Sequence, residues 1–408
     1  MKRTVFCVVV LMLVSLDAAR TGPALRSSGP AALSQFFSDV IARGDVPGIV
    51  AIVVSPDKVL YLEAFGKMNV AKNTPMAKDT IFRIASMTKA VTSVGVMQLV
   101  EQGKIGLDDP VSKYLPRLAS PQVFSKVDEE SGSYETKPAT RPITIRQLLT
   151  HTSGIGYSWS DHGLAIAQKK TGATNDSELP LVNEPGARWT YGASTRVLGE
   201  LVEKLTGEKI DAYIDAHIAG PLGMRDTTYT VPKQKYARVV TLNQKANGKI
   251  TETQNPDPIP ATIRGDGGLF STAADYSRFV QMILNKGQLG TVHILKDTTV
   301  AEMGKNQIGS VKVRLQPTAE PLRSKPYPLG AGEDVWGLGF QLAAPRTPNP
   351  SMRSPGSMSW AGINNTFYWI DPQKQVGAVI LMQMLPFYDE GAIRTLQGFE
   401  ERVYKNLN

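Results

Sequence analysis

The sequence predicts an α+β fold: one antiparallel sheet built from both chain termini and flanked by helices, with a mostly helical region inserted between its halves. Three observations carry this expectation. The N-terminal end reads as a helix followed by a hairpin, the C-terminal end as a hairpin followed by a helix, and the middle carries stretches of helical spacing. The sheet region falls at 20–110 and 331–408 and the helical region at 111–330, with the active site expected in the cleft between them.

Each element has a local reason. "AALSQFFSDVIARG" puts Phe36, Phe37, Val40 and Ile41 on one helical face and ends at Gly44, a suitable C-cap. "GIVAIVV" and "KVLYLEAFG" are β-rich runs joined by the turn residues Ser55, Pro56 and Asp57. At the far end, "NTFYWIDPQKQVGAVILMQM" reads as a second hairpin turning at Asp371-Pro372. Behind it, Ile393, Leu396, Phe399 and Val403 recur at helical spacing. In the middle, 194–206 and 272–286 read as helices. The polar stretch 124–142 and the Pro- and Gly-rich stretch 315–334 read as surface loops.

Composition bounds the function. A chain of 408 residues, 42% hydrophobic and 20% charged, has the make-up of a globular protein with room for a large core. The net charge of +8 is scattered, with no basic run interleaved with aromatics, so no nucleic-acid partner is implied. Lys2 and Arg3 precede the apolar run "VFCVVVLMLV", with Ala18 and Ala19 soon after, which is the layout of a secretory signal over 1–19. An exported protein, periplasmic or secreted, is the expectation. Leu16 and Asp17 make a poor cleavage site, so an N-terminal membrane anchor is the alternative. No other run is long enough for a membrane span in the mature chain. Cys7, the single cysteine, lies inside the signal, so cleavage would leave no thiol chemistry, disulfide or zinc–thiolate site.

One motif carries chemistry. Ser86-Met87-Thr88-Lys89 is a Ser-x-x-Lys pair, of which roughly one or two are expected by chance in a chain of this length. A second match, Ser55-Pro56-Asp57-Lys58, sits at the expected hairpin turn, where nothing fixes the lysine to the serine. Ser86 instead opens a segment in which Met87, Val91, Val94 and Met97 form an apolar helical stripe. Residues three apart share a helix face, within reach of a Lys–Ser hydrogen bond. The positive end of the helix favours an oxyanion there, and with burial it would lower the Lys89 pKa enough for the amine to act as a base.

Ser-x-x-Lys at a helix start resembles the serine β-lactamase and penicillin-binding protein superfamily. "FRIASMTKAVTSVGVMQLVEQGKIGLDDPVSKYLP", "ITIRQLLTHTSGI", "WTYGASTRVLGELVEKLTG", "IAGPLGMRDTTY", "GDGGLFSTAADYSRFVQMILNKG" and "SWAGINNTFYWIDP" follow the order of its class C branch, over about 30–385. The resemblance implies the β-lactamase/DD-peptidase fold and one catalytic domain. It implies that Tyr191 shares a proton with Lys89, helps to deprotonate Ser86 and returns the proton to the leaving group. It also implies an oxyanion hole from the backbone N–H groups of Ser86 and Ile363, with Gly362 letting that strand approach the substrate closely. Tyr157 enters as a pocket residue on the same ground.

The departures from that pattern point to the substrate. Ala193 stands where β-lactamases carry an asparagine, and Trp360-Ala361-Gly362 stands where they carry Lys-Thr-Gly. Both polar handles for a β-lactam are missing, and an indole offers an apolar wall to neutral acyl groups. Ser-x-x-Lys with Tyr and Trp-x-Gly is similar to the family VIII carboxylesterases. A short-chain ester, cleaved through an acyl-Ser86 intermediate, is therefore the expected substrate. A β-lactamase or D-Ala-D-Ala carboxypeptidase, an acyltransferase, and a catalytically silent binding relative are the alternatives. The chain has no Gly-x-Ser-x-Gly elbow, and its four histidines make no His-Glu-x-x-His pair, so no metal or cofactor is implied. His151 in "THTSG" reads as structural rather than as a base, and the role of Asp266 in "GDGG" is open between the same two readings.

Overall fold

The terminal elements form where their apolar spacing places them. In the computed structural model, which describes residues 22–345 and 352–408, α1 (Gly29–Ala42) begins with a proline in its first turn. It leaves through Gly44, whose φ of +70° takes the left-handed conformation of a helix end. The expected signal, 1–19 with Cys7, lies outside the described residues. β1 (Gly48–Val54) is buried along its whole length, as an unbroken Ile/Val run predicts, and β2 (Val59–Asn69) returns beside it. In the turn between them Ser55 donates to Asp57 Oδ1 (2.6 Å), so this second Ser-x-x-Lys match serves the turn. β3 (Thr74–Pro75) closes that edge.

α2 (Thr88–Glu101) follows, and the inserted region then carries α3 (Ser194–Thr206) and α4 (Ala273–Leu284) as its main helices. The chain then returns to the sheet as β4 (Val335–Trp336), β5 (Gln341–Leu342), β6 (Met358–Gly362), β7 (Thr366–Asp371) and β8 (Val376–Leu381), and ends in α5 (Glu390–Lys405). The eight strands form one antiparallel sheet in the order β4-β5-β6-β7-β8-β1-β2-β3. Its two halves join where β8 pairs β1, from Val50 opposite Leu381 to Val54 opposite Gly377.

Helices cover both faces. Neighbouring residues on a strand point to opposite sides. Trp369 of β7 meets Phe399 of α5 (ring centroids 5.2 Å), and Phe399 meets Phe37 of α1 (5.2 Å). Tyr368 points the other way and meets Tyr276 of α4 (5.2 Å). Among the described residues, no helix is long and apolar enough to cross a membrane.

Three expectations change. The stretch 124–142 contains an antiparallel hairpin, Gln122–Asp128 with Ser133–Pro138, rather than a loop. Both its faces are largely polar, so no alternation marks it, and its anchors are Val123 and an edge-on Phe124–Tyr134 contact (5.4 Å). The apolar stripe of α2 becomes a helix buried almost all round, because α3 and the helix Ile210–Ile214 pack on sides that carry Thr, Ser and Gly. The stretch 315–334 forms no helix or strand, yet its Tyr327 is fully buried and stacks on Trp159 (5.7 Å).

Phe37 ties α1, α5 and the sheet together at 0% exposure. Phe37→Ala is expected to lower the free energy of unfolding by about 3–5 kcal/mol, read as a shifted midpoint in urea denaturation.

Candidate active site

Residues 82–83 pair with 270–271, and the chain then turns sharply. Ala85 has a φ of +46°, a conformation that costs energy in any residue with a Cβ. A 3₁₀ turn over Ala85–Met87 runs straight into α2. Half-buried Ser86 therefore stands in the first turn, ahead of the first internal bond, from the Met87 N–H to the Ile84 carbonyl (3.1 Å). The turn is held from outside as well. Tyr276 donates to the Met87 carbonyl (2.9 Å), and the Leu269 N–H donates to Thr88 Oγ1 (3.3 Å).

Lys89 is 2% exposed. Its Nζ lies 3.0 Å from Ser86 Oγ, 3.0 Å from the Tyr157 hydroxyl and 2.6 Å from the Asp266 carbonyl. The Tyr157 hydroxyl donates its own proton to Asp266 Oδ2 (2.6 Å), so toward Lys89 its oxygen can only accept. The carbonyl also only accepts. A neutral amine has two N–H bonds and one lone pair. With both N–H bonds committed, the lone pair faces the Ser86 hydroxyl.

The electrostatics favour that neutral form. Burial pushes Lys89 down to about 7, with Arg264 and Arg196 helping and Asp266 opposing. Burial works to raise the Asp266 carboxyl, but the charges of Lys89, Arg196 and Arg264 and the Tyr157 bond hold it below its ordinary value. Arg196 reaches both carboxylate oxygens at 3.3 Å, and Arg264 approaches at 3.5 Å. Burial and the Asp266 charge keep Tyr157 well above the ordinary phenol value, so it holds its proton.

Tyr191 sits on the other side of Ser86. Its hydroxyl lies beside the serine and accepts from the Trp360 indole N–H (2.9 Å). An indole N–H is donor only, so the Tyr191 proton is free to point toward Ser86 or a substrate oxygen. Burial raises this phenol too, although Ser86 and Trp360 pull the other way. Lys89 does not hydrogen-bond Tyr191: Nζ lies 5.0 Å from its ring centroid, and the direct phenol partner is Tyr157. The two tyrosines lie close (5.6 Å) because Gly192 presses on the 155–156 backbone, where a Cβ would meet the Ile155 carbonyl at 2.1 Å.

The other expected residues fall as follows. Trp360 is 6% exposed and works through its N–H rather than as an open apolar wall. Gly362 brings β6 onto the serine turn itself, since a Cβ there would meet the Ile84 carbonyl at 2.3 Å. Ile363 follows at the half-exposed strand end and lines an open groove of about 620 Å³ with Pro321, Leu322 and Leu385. Ala193 is fully buried ahead of α3, with no surface to offer a substrate. His151 makes no side-chain bond to Ser86 or Lys89. Its ring is enclosed by Tyr191 (4.7 Å), Trp336 (5.3 Å) and Trp189 (6.3 Å). Burial and the Lys89 charge hold it well below its ordinary value, and so neutral.

A family model described as Beta-lactamase matches residues 33–400. The chain belongs to the β-lactamase family. It is 26% identical to the Monacolin J acid methylbutanoyltransferase of Aspergillus terreus, over 90% of this chain and 94% of that protein. It is 28% identical to Esterase EstB of Burkholderia gladioli, over 90% and 91% of the two chains. Its structure is similar to that of a simvastatin synthase mutant from Aspergillus terreus, with a TM-score of 0.79 and 25% identity over 93% and 95% of the chains.

Arg196 and Arg264 gave no sequence signal, since they lie 107 and 175 residues beyond Lys89 and nothing in the blocks around them marks an arginine that faces Asp266. Within this β-lactamase-family site, Lys89 must be neutral to accept the Ser86 proton. Labelling of Ser86 by a fluorophosphonate is therefore expected to be slow in acid and to rise to a plateau through an apparent pKa of about 7, measured as labelling rate against pH.

Proposed function

We propose that the protein is a serine esterase that cleaves short-chain carboxylic esters through an acyl-Ser86 intermediate. The observation that carries this reading is the Lys89 amine, held 3.0 Å from Ser86 Oγ with both N–H bonds committed elsewhere. Ser86 Oγ attacks the ester carbonyl carbon while its proton passes to Lys89 Nζ. The backbone N–H groups of Ser86 and Ile363 hold the oxyanion. The bond to the alcohol breaks, Tyr191 donates a proton to the departing oxygen, and water entering in place of the alcohol relays the proton on Lys89 back to Tyr191. Water then attacks the acyl-enzyme and gives its proton to Lys89, which returns it to Ser86 Oγ as the acid leaves. Tyr157 and Asp266 act through Lys89 and not on the reacting atoms, so they are positioning residues.

Esters are favoured over β-lactams because the lysine of Lys-Thr-Gly is replaced by Trp360, which is engaged with Tyr191, and the asparagine by buried Ala193. A p-nitrophenyl ester series run beside a chromogenic cephalosporin tests this. Fastest turnover is expected with short acyl chains, with Ser86→Ala silent; faster cephalosporin turnover, or an active Ser86→Ala, would overturn it. An exported location, set by the signal over 1–19, remains part of the proposal.

Acyl transfer to an alcohol is the second reading. It draws on the relative named a methylbutanoyltransferase and on the groove at Ile363, whose Leu322 is 67% exposed and leaves room for an acceptor. Butanol added to a p-nitrophenyl butyrate reaction would then yield butyl butyrate in place of butyric acid.

The positioning pair has its own signature. Asp266→Asn removes the carboxylate that orients the Tyr157 proton and raises the Lys89 pKa. The variant is expected to lose at least about tenfold in kcat and to move the rising limb of kcat/KM to lower pH. Tyr157→Phe should lose activity likewise. A variant that merely folded less well would leave the limb near 7.

A further inference from the structure

A cavity of about 220 Å³ lies against Tyr157 and Tyr191. Tyr157, Trp189 and Tyr191 are its buried walls, and Arg188, Arg314 and Asp161 also line it. The charges there do not balance. Arg188 donates only to neutral acceptors, Asn183 Oδ1 (3.0 Å) and the Val182 carbonyl (3.2 Å). Among the described residues, the exposed Arg314 side chain makes no hydrogen bond or ion pair. Asp161 is committed as a helix cap, accepting the Leu164 N–H (3.0 Å).

Two guanidinium groups and one carboxylate leave the lining one negative charge short. The two arginines also feel each other: burial and the repulsion from Arg314 hold the Arg188 guanidinium below its ordinary value, and Asp161 offsets only part of this. An anion between them would relieve that repulsion, and a carboxylate matches the planar fork of a guanidinium. The volume sets the size. At about 220 Å³ it has room for a short acyl chain. Tyr191 both lines this cavity and lies beside Ser86, so the cavity takes the acyl side of an ester and the open groove at Ile363 takes the alcohol side.

We propose that this cavity binds a carboxylate carried on the acyl group, so that the preferred substrates are monoesters of short dicarboxylic acids. The proposal rests on the acyl-Ser86 reading for its catalytic consequence. The lone cations would also draw such a substrate in before it binds, an effect that salt screens.

Mono-p-nitrophenyl glutarate and p-nitrophenyl pentanoate have acyl chains of equal length, one ending in a carboxylate and the other in a methyl group. The ratio of their kcat/KM values is expected to fall at least fivefold in Arg314→Gln and in Arg188→Gln, and to fall in the unaltered protein as salt is added. A ratio that neither variant moves would overturn the proposal. Glutarate titrated into Ser86→Ala by calorimetry needs no turnover. Binding that Arg314→Gln weakens supports the anion site, and no binding at millimolar glutarate contradicts it. Failure to turn over either ester would count against the acyl-Ser86 mechanism instead, with calorimetry still deciding the anion site.

Discussion

A lysine amine buried between a serine hydroxyl, a phenol and a backbone carbonyl is the constraint on which the rest of this site depends. Taking its pKa from 10.5 to about 7 means that the site disfavours the ammonium by roughly 5 kcal/mol relative to water. The fold meets that demand with ordinary means. α2 is enclosed by α3 and the 210–214 helix, which removes water from the amine. Asp266 supplies a negative charge close enough to orient the neighbouring groups, and Arg196 and Arg264 keep that charge from making Lys89 a permanent cation. Neither arginine has to touch the reacting atoms to matter.

The two phenols show how a single hydrogen-bond partner sets a role. Tyr157 faces an ionised carboxylate, donates its hydrogen bond there and so presents only an acceptor to Lys89. Tyr191 faces an indole N–H, accepts it and so keeps its proton for the serine side. Residues of one type, with rings 5.6 Å apart, thereby take opposite roles, acceptor toward Lys89 and donor toward the Ser86 side. Trp360 belongs in this account as a hydrogen-bond donor as much as an apolar group. Its indole brings no charge to the site and still contacts the tyrosine.

Much of this was legible in the sequence. Unbroken runs such as "GIVAIVV" and the helical spacing of Phe36, Phe37 and Val40 declare their elements because burial on a sheet imposes those periods. Ser86, Lys89 and Tyr191 were legible because they sit in compact motifs. The hairpin at 122–138 was not, since a strand wetted on both faces carries no alternation to read. Nor was the Tyr157–Asp266 pair. Its two members lie 109 residues apart, and only the closed fold brings them to 2.6 Å. The direction of a proton along that bond is set by geometry that no spacing records. The same holds for Trp360, whose identity was plain but whose N–H had no visible partner until β6 was laid against the serine turn.

The central claim is that burial brings the Lys89 amine down to about 7, so that its neutral form is well populated at neutral pH. Carbon-13 NMR of lysine labelled at Cε, with the resonance assigned by comparison with Lys89→Met, reports its protonation directly and without a substrate. The account predicts that this one lysine titrates near 7. Titration near 10.5, with the exposed lysines, would contradict it.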